Sequence, residues 1–224
     1  MEDLTVHRLE PRLRDVERRI AAAAGRAGRS PDEIILVAVT KGLPPQTIEA
    51  AVEAGIRHIG ENRVQEASIK VARLSAAGLR PIWHMVGHLQ RNKAKTAVEV
   101  FDIIHSVDSL RLAEALNAAA ASALPVLLQV NVSGEATKGG FPLAQLGTAA
   151  PEIGRLPNLT VKGLMTIAPM AGDPEEVRPV FRKLWEARDS LGLEHLSMGM
   201  TDDFEVAIEE GATMVRIGRA IFGG

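Results

Sequence analysis

Ile34-Ile35-Leu36-Val37-Ala38-Val39 is apolar without a break, and Thr40-Lys41-Gly42-Leu43-Pro44-Pro45 follows at once. A run that is apolar on both alternations reads as a strand buried on both faces, and the Pro-Pro pair fixes where the chain turns. Lys41 therefore stands at the mouth of a buried strand. Two readings of it are open. It is either a surface lysine just past a strand, its long stem reaching water, or an amine in a partly desolvated mouth. In the second case its ammonium gives up a proton readily and the amine can form an imine with an aldehyde.

The pattern recurs. Apolar runs come at Ile34–Val39, Arg57–Gly60, Pro81–Gly87, Phe101–Ser106, Pro125–Asn131, Thr160–Met165, His195–Gly199 and Thr213–Gly218. Segments with helical spacing lie between most of them, such as Ile48, Ala51, Val52 before Gly55, and Val64, Ala67, Val71, Leu74 before Gly78. Gly55, Gly78 and Gly211 read as helix C-terminal caps. Asp173-Pro174-Glu175-Glu176 reads as a helix start, with a capping aspartate, proline at the first helical position and a glutamate able to reach back. Val177, Val180, Phe181 and Leu184 then supply the buried stripe. Strands that alternate with helices predict a parallel sheet covered on both sides, and eight such units predict a single (β/α)8 TIM-type barrel. Leu9, Leu13, Val16 and Ile20 predict an extra N-terminal helix, starting near Pro11 and packed on the outside or bottom of the barrel, with its arginines as a solvated face.

A chain of 224 residues fits one such barrel, and no Pro/Gly/Ser-rich linker divides it, so residues 1–224 are expected to form a single domain. The net charge is −2, and two Trp, five Phe and no Tyr leave little for base stacking, so no nucleic-acid partner is expected. Cysteine is absent, and neither a signal-like opening nor a long apolar span is visible. A cytoplasmic protein is expected, with no membrane association, no disulfides and no thiolate metal site.

Barrels of this kind build their chemistry at the C-terminal ends of the strands. The residues there are Lys41, Glu61, Asn62, His84, His88, Ser106, Asp108, Asn131, Ser197, Thr201 and Arg216. Asp108 is expected to cap the helix over Ser109–Asn117, and Asn62 either caps Arg63–Leu74 or faces the mouth. Ser197-Met198-Gly199-Met200-Thr201 and Arg216-Ile217-Gly218-Arg219-Ala220 each lead from a strand into a helix. Helix N-termini favour a phosphate, and the loops after strands seven and eight are where barrels usually hold one. Gly199 and Gly218 are otherwise ordinary turn glycines. A lysine beside a phosphate nest points to a phosphorylated aldehyde. His84 and His88 lack companions at metal-ligand spacing, so no metal site is assigned.

Val37-Ala38-Val39-Thr40-Lys41, Gly60-Glu61-Asn62-Arg63-Val64-Gln65-Glu66, Trp83-His84-Met85-Val86-Gly87-His88-Leu89-Gln90-Arg91-Asn92-Lys93, Ser197-Met198-Gly199-Met200-Thr201-Asp202-Asp203 and Val215-Arg216-Ile217-Gly218-Arg219-Ala220-Ile221-Phe222-Gly223 resemble the pyridoxal 5′-phosphate homeostasis protein family. The resemblance runs essentially end to end. It implies a barrel like the N-terminal domain of alanine racemases, with pyridoxal 5′-phosphate bound as an imine to Lys41. It further implies that Thr201 and the backbone of Gly218 and Arg219 hold the phosphate, that Arg216 faces the pyridine nitrogen, and that Asn62 and His84 lie near the ring. Ser197, at the head of its loop, completes the candidate cofactor-binding set. Two positions depart from the family's pattern: Thr201 stands where Ser is frequent and keeps the hydroxyl, and Arg219 stands where Thr is usual. The implied role is non-catalytic, in vitamin B6 homeostasis and amino-acid balance, with pyridoxal-phosphate-dependent apoenzymes as partners and a monomeric state. The alternative is an amino-acid racemase, whose relatives take a second base, a tyrosine, from another domain of a partner subunit; this chain has no tyrosine. A lysine aldolase shares the barrel, the lysine and the phosphate nest but has no use for Arg216.

Overall fold

Each apolar run forms a strand. In the computed structural model, which describes residues 6–135 and 138–223, these are β1 (Ile35–Val39), β2 (His58–Glu61), β3 (Ile82–Met85), β4 (Ile103–Val107) and β5 (Leu124–Asn131), then β7 (Leu159–Met165), β8 (His195–Ser197) and β9 (Met214–Ile217). All pair in parallel, from β1 through β5 to β7, β8 and β9, and β9 returns to β1. The sheet is thus a closed eight-stranded barrel. A further two-residue strand, β6 (Phe141–Pro142), was not expected; it runs parallel to the end of β5 and stays outside the ring. Its brevity hides it, because two residues carry no periodicity.

Helices α2 (Pro45–Glu53), α3 (Val64–Ala76), α4 (Ala94–Val100), α5 (Leu110–Ala119), α6 (Leu146–Gly154), α7 (Arg178–Ser190), α8 (Phe204–Glu209) and α9 (Arg219–Phe222) alternate with the strands. Gly55, Gly78 and Gly211 follow three of them at positive φ, as C-terminal caps require. Asp173 caps as expected, accepting from Glu175 N–H at 2.9 Å, though through a 3-10 turn that precedes α7.

Two cores result. The larger lies between barrel and helices and takes Ala38, Ile59, Trp83 and Met85 from the strands. A smaller one, Leu127, Met165 and Met214 with Ile35 against them, fills part of the barrel interior. Alternation along each strand divides the two. Gly163 marks a tight seam: a Cβ there would stand 2.0 Å from the His195 carbonyl oxygen, so no side chain fits between β7 and β8.

The N-terminal helix α1 (Val6–Arg26) begins earlier than predicted and carries Pro11 inside it. An interior proline costs about 3 kcal/mol. Burial of Leu9, Leu13, Val16 and Ile20 at 5% exposure or less outweighs that, at about 1.5–3 kcal/mol each. The helix packs on α8 and α9, outside the barrel. Its arginines are more than a solvated face. Arg19 grips Glu205 with two bonds of 3.0 and 2.9 Å, Arg26 reaches Glu209 at 2.6 Å, and the following Arg29 donates to the Ile208 and Ala212 carbonyls at the end of α8.

Candidate functional site

Parity places Lys41. Val37 pairs with Arg216 of β9 and with His58 of β2, and Val39 pairs with Gly60, so these residues share the interior face. Alternation carries Lys41 to the same side, one step past Thr40, whose N–H still bonds the Gly60 carbonyl at 3.0 Å. There a cavity of about 530 Å³ opens. Lys41, Asn62, Thr201, Arg216, Gly218 and Arg219 all line it, with Val39, Leu43, Val86, Ile167, Met200 and Phe222 as apolar walls. The volume lies within the usual range for small-molecule sites.

Each side chain has a local reason for its position. Gly199 adopts φ +90°, and a Cβ there would come within 2.6 Å of the Ala207 Cβ and 2.9 Å of the Phe204 Cα, so only glycine lets this loop fold against α8. Asp203 accepts from Met200 N–H at 2.6 Å and holds the turn that presents Thr201; burial raises its pKa. Gly218 lets the backbone pass close to Val39, whose carbonyl would lie 3.1 Å from an added Cβ. Arg219 pairs with Asp202, and both are exposed, so its guanidinium is engaged at the surface. Its N–H stands in the first turn of α9, where backbone donors lack intrahelical acceptors. Asn62 does not cap α3, whose N-cap is Arg63 with no side-chain bond.

Arg216 forms the floor. It is 4% exposed, and its Nη1 donates to Ser197 Oγ at 2.6 Å and its Nη2 to the Thr166 carbonyl at 2.8 Å. Both partners are neutral. Burial lowers its pKa to about 10, which leaves it a cation at neutral pH. Ser197 and His84 are fully buried below the cavity and do not line it. They belong to a line of side chains in the barrel interior: Ser197 Oγ to His105 Nδ1 at 2.8 Å, His105 Nε2 to His84 Nδ1 at 2.8 Å, and His84 Nε2 to His58 Nδ1 at 2.9 Å.

Burial lowers His84 from the usual 6.5 to about 3 and holds His105 well below its usual value. The folded protein therefore binds fewer protons here than the unfolded chain. Their contribution to stability is whole above about pH 6.5 and shrinks as pH falls toward 3, by up to about 1.4 kcal/mol per pH unit for each histidine. We expect the urea midpoint to drop steadily from pH 6.5 to 5. A flat midpoint over that range would show that these histidines take protons without leaving the interior.

The opposite face of the same strand ends carries a second buried group. Glu61 pairs in register with Met85, on the helix-facing side. Lys70 of α3 donates to Glu61 Oε1 at 2.6 Å and to the Thr40 carbonyl at 2.8 Å, and Thr40 Oγ1 donates to the same carboxylate oxygen at 2.5 Å. Glu61 and Lys70 are 0% and 4% exposed. The residue before Lys41 is thus fastened to β2 and α3.

Other strand-end residues serve the scaffold. The cap expected of Asp108 belongs to Ser109, which accepts from Leu112 N–H at 3.4 Å; Asp108 accepts from the Ser109 hydroxyl at 3.1 Å, with His88 Nδ1 at 3.2 Å from its other oxygen. Register and not side-chain chemistry moves the cap: α5 begins at Leu110, so Ser109 is the residue that immediately precedes it. Asn131 ties its loop by donating to the Glu135 and Lys138 carbonyls at 2.8 and 3.1 Å.

Lys70, His58 and His105 escaped the sequence reading. Lys70 occupies the slot of the α3 stripe assigned to Val71, which is only partly buried. The histidines had a signal: each stands at an interior position of successive strands, in His-Ile-Gly-Glu, Ile-Trp-His-Met and Ile-Ile-His-Ser.

A barrel of eight parallel strands with a lysine just past β1 and the loops after β8 and β9 gathered at one mouth defines a class. The family model for the alanine racemase N-terminal domain matches residues 12–224. A curated relative from Aquifex aeolicus named pyridoxal phosphate homeostasis protein is 45% identical over 221 residues, covering 95% of this chain and 96% of that protein. One of the same name from Escherichia coli K12 is 44% identical over 222 residues, covering 94% of each. The structure of PipY from Synechococcus elongatus, solved with pyridoxal phosphate bound, superposes with a TM-score of 0.80 at 38% identity, covering 91% of this chain and all of PipY. The chain belongs to the pyridoxal phosphate homeostasis protein family.

Proposed function

We propose that the chain binds pyridoxal 5′-phosphate in the cavity at the barrel mouth, as an imine on Lys41, and that it holds or hands on the cofactor rather than transforming amino acids. One observation carries this reading. A single cavity brings together an exposed amine at the end of β1, a buried guanidinium at the floor, and a hydroxyl with helix-terminal N–H groups at the rim. These suit an aldehyde, a ring nitrogen and a phosphate on one small molecule. The bound cofactor supplies an aldehyde that condenses with an amine, releasing water, and an electron-withdrawing ring. Lys41 provides the amine, Thr201 and the N–H groups of Gly218 and Arg219 orient the phosphate, and Asn62 stands beside the ring. The exposed Arg219 side chain, paired with Asp202, leaves its backbone as the contact.

Titration separates this from other readings. Pyridoxal lacking the phosphate loses at least two charge-assisted bonds of about 1.5–3 kcal/mol each, so we expect affinity at least about a hundredfold below that for pyridoxal phosphate. Equal affinities would assign the rim another purpose. A visible absorption band on the purified protein would exclude the aldolase.

The non-catalytic part of the reading rests on proton positions. Arg216 remains a cation and donates to whatever faces it, so it does not protonate a ring nitrogen. Lys41 can serve one face of a bound amino acid, and the chain has no tyrosine for the other. In deuterated water we expect slow exchange of the α-proton of L-alanine without inversion. Rapid exchange with accumulation of D-alanine would restore the racemase. Hand-over to pyridoxal-phosphate-dependent apoenzymes, a monomeric state and a cytoplasmic location complete the proposal. No helix among the described residues is long and apolar enough to cross a membrane.

A further inference from the structure

We infer that His58, His84, His105 and Ser197 form a hydrogen-bonded chain of fixed polarity whose purpose is to position Arg216, making the three histidines and the serine positioning residues for the floor of the cavity. Only Arg216 among them lines the cavity. The effect on a bound cofactor rests on the function proposed above; the polarity of the chain does not.

The geometry leaves two alternatives. His84 and His105 are fully buried and each uses both ring nitrogens, at 2.8 and 2.9 Å for His84 and at 2.8 Å on either side for His105. A neutral imidazole has one N–H and one acceptor nitrogen, so each ring donates on one side and accepts on the other. The whole chain therefore runs one way or the other. Arg216 decides which. A guanidinium only donates, so Ser197 Oγ must accept from Nη1 at 2.6 Å. If His105 also donated to Ser197, the serine hydrogen would have no acceptor among the described residues, and an orphaned buried hydroxyl is costly. With the serine donating to His105 Nδ1, every group is satisfied. His105 then donates from Nε2 to His84 Nδ1, and His84 from Nε2 to His58 Nδ1. His58, half-buried, holds the last free N–H.

This arrangement matters because Arg216 is a buried cation whose side-chain partners, a hydroxyl and the Thr166 carbonyl, are both neutral. A hydrogen-bonded carboxylate would fix a guanidinium in place, whereas the nearby Asp203 acts on Arg216 by charge without a bond to it. Here orientation depends on keeping the serine lone pair aimed at Nη1, which the histidines enforce by engaging the serine hydrogen. Depressed basicity supports the scheme: burial keeps His84 and His105 neutral at pH 7.

The test uses the full chain without cofactor, with histidine and arginine nitrogen-15 labels. Long-range proton–nitrogen spectra should show His58, His84 and His105 each as the Nε2–H form, with the other tautomer below about one-tenth. A dominant Nδ1–H form at His84 or His105 would overturn the proposal. His84→Leu contacts neither Arg216 nor the cavity but removes the acceptor for His105 Nε2–H. In this variant the His105 proton should move to Nδ1, and exchange of the Arg216 side-chain N–H groups with solvent should rise more than tenfold. Unchanged Arg216 exchange in folded His84→Leu would reduce the chain to interior packing and refute the positioning role. If that variant does not fold, the wild-type tautomers still decide the matter, as does His58→Asn, whose side-chain oxygen can replace Nδ1 and should preserve the Nε2–H forms of His84 and His105 and the slow Arg216 exchange. Because none of these readouts needs pyridoxal phosphate, their failure is distinct from a failure to bind it.

Discussion

Replacing Lys41 with alanine is expected to abolish covalent attachment of pyridoxal phosphate altogether, while weaker, phosphate-dependent binding persists. The amine is lost but the rim of Thr201, Gly218 and Arg219 is untouched, since none of its positions depends on the Lys41 side chain. In the unmodified protein, borohydride should fix the cofactor's mass on the peptide containing Lys41, and the visible band should be absent from Lys41→Ala. The other six lysines are poor competitors because none of them lines the cavity. Lys70 is sealed in a buried ion pair, while Lys138 and Lys162 pair with Glu135 and Glu194 away from the cavity. Label on any lysine other than Lys41 would overturn the assignment.

Lys70→Ala should be among the most destabilising single changes in the molecule, by about 3–5 kcal/mol, because it strands the Glu61 carboxylate in a site with no access to water. One Glu61 oxygen already lacks a partner among the described residues, so the remaining bond from Thr40 cannot compensate. Removing both charges together, as Glu61→Gln with Lys70→Met, should cost far less, since a buried pair is often replaceable by uncharged groups of similar size. Urea unfolding of the two variants gives the comparison. A loss below about 1 kcal/mol for Lys70→Ala would mean that water or a rearranged side chain reaches Glu61.

The barrel was legible because its signal is redundant. Eight buried runs separated by amphipathic segments admit few other closures, so missing the two-residue β6 or starting α1 at Pro11 changes nothing downstream. The mouth was legible for the same reason: strand ends are where parity and turn residues coincide, as at Lys41, Thr201 and Arg216. What lay deeper was harder. A histidine in a strand reads alike whether it bonds water, backbone or another histidine, and His58, His84 and His105 become a line only once the register of β2, β3 and β4 is known. Lys70 was hidden by the rule that charge faces solvent, which fails where a carboxylate such as Glu61 waits inside. The cap shift from Asp108 to Ser109 was a matter of one residue, below the precision of any boundary drawn from sequence.

The clasp between α1 and α8 has a consequence for biosynthesis. Arg19 and Glu205 lie 186 residues apart, and β1 must find β9 across a similar span to close the ring. At translation rates of about 5–20 residues per second, the apolar stripe of α1 spends roughly ten to forty seconds without its partner. During that interval the nascent chain already carries Lys41 but neither Thr201 nor Arg216 nor Gly218. Ring closure and completion of the cavity rim are therefore one late event, and a chain arrested before it would expose a greasy helix to chaperones while lacking the residues proposed here to hold a phosphate.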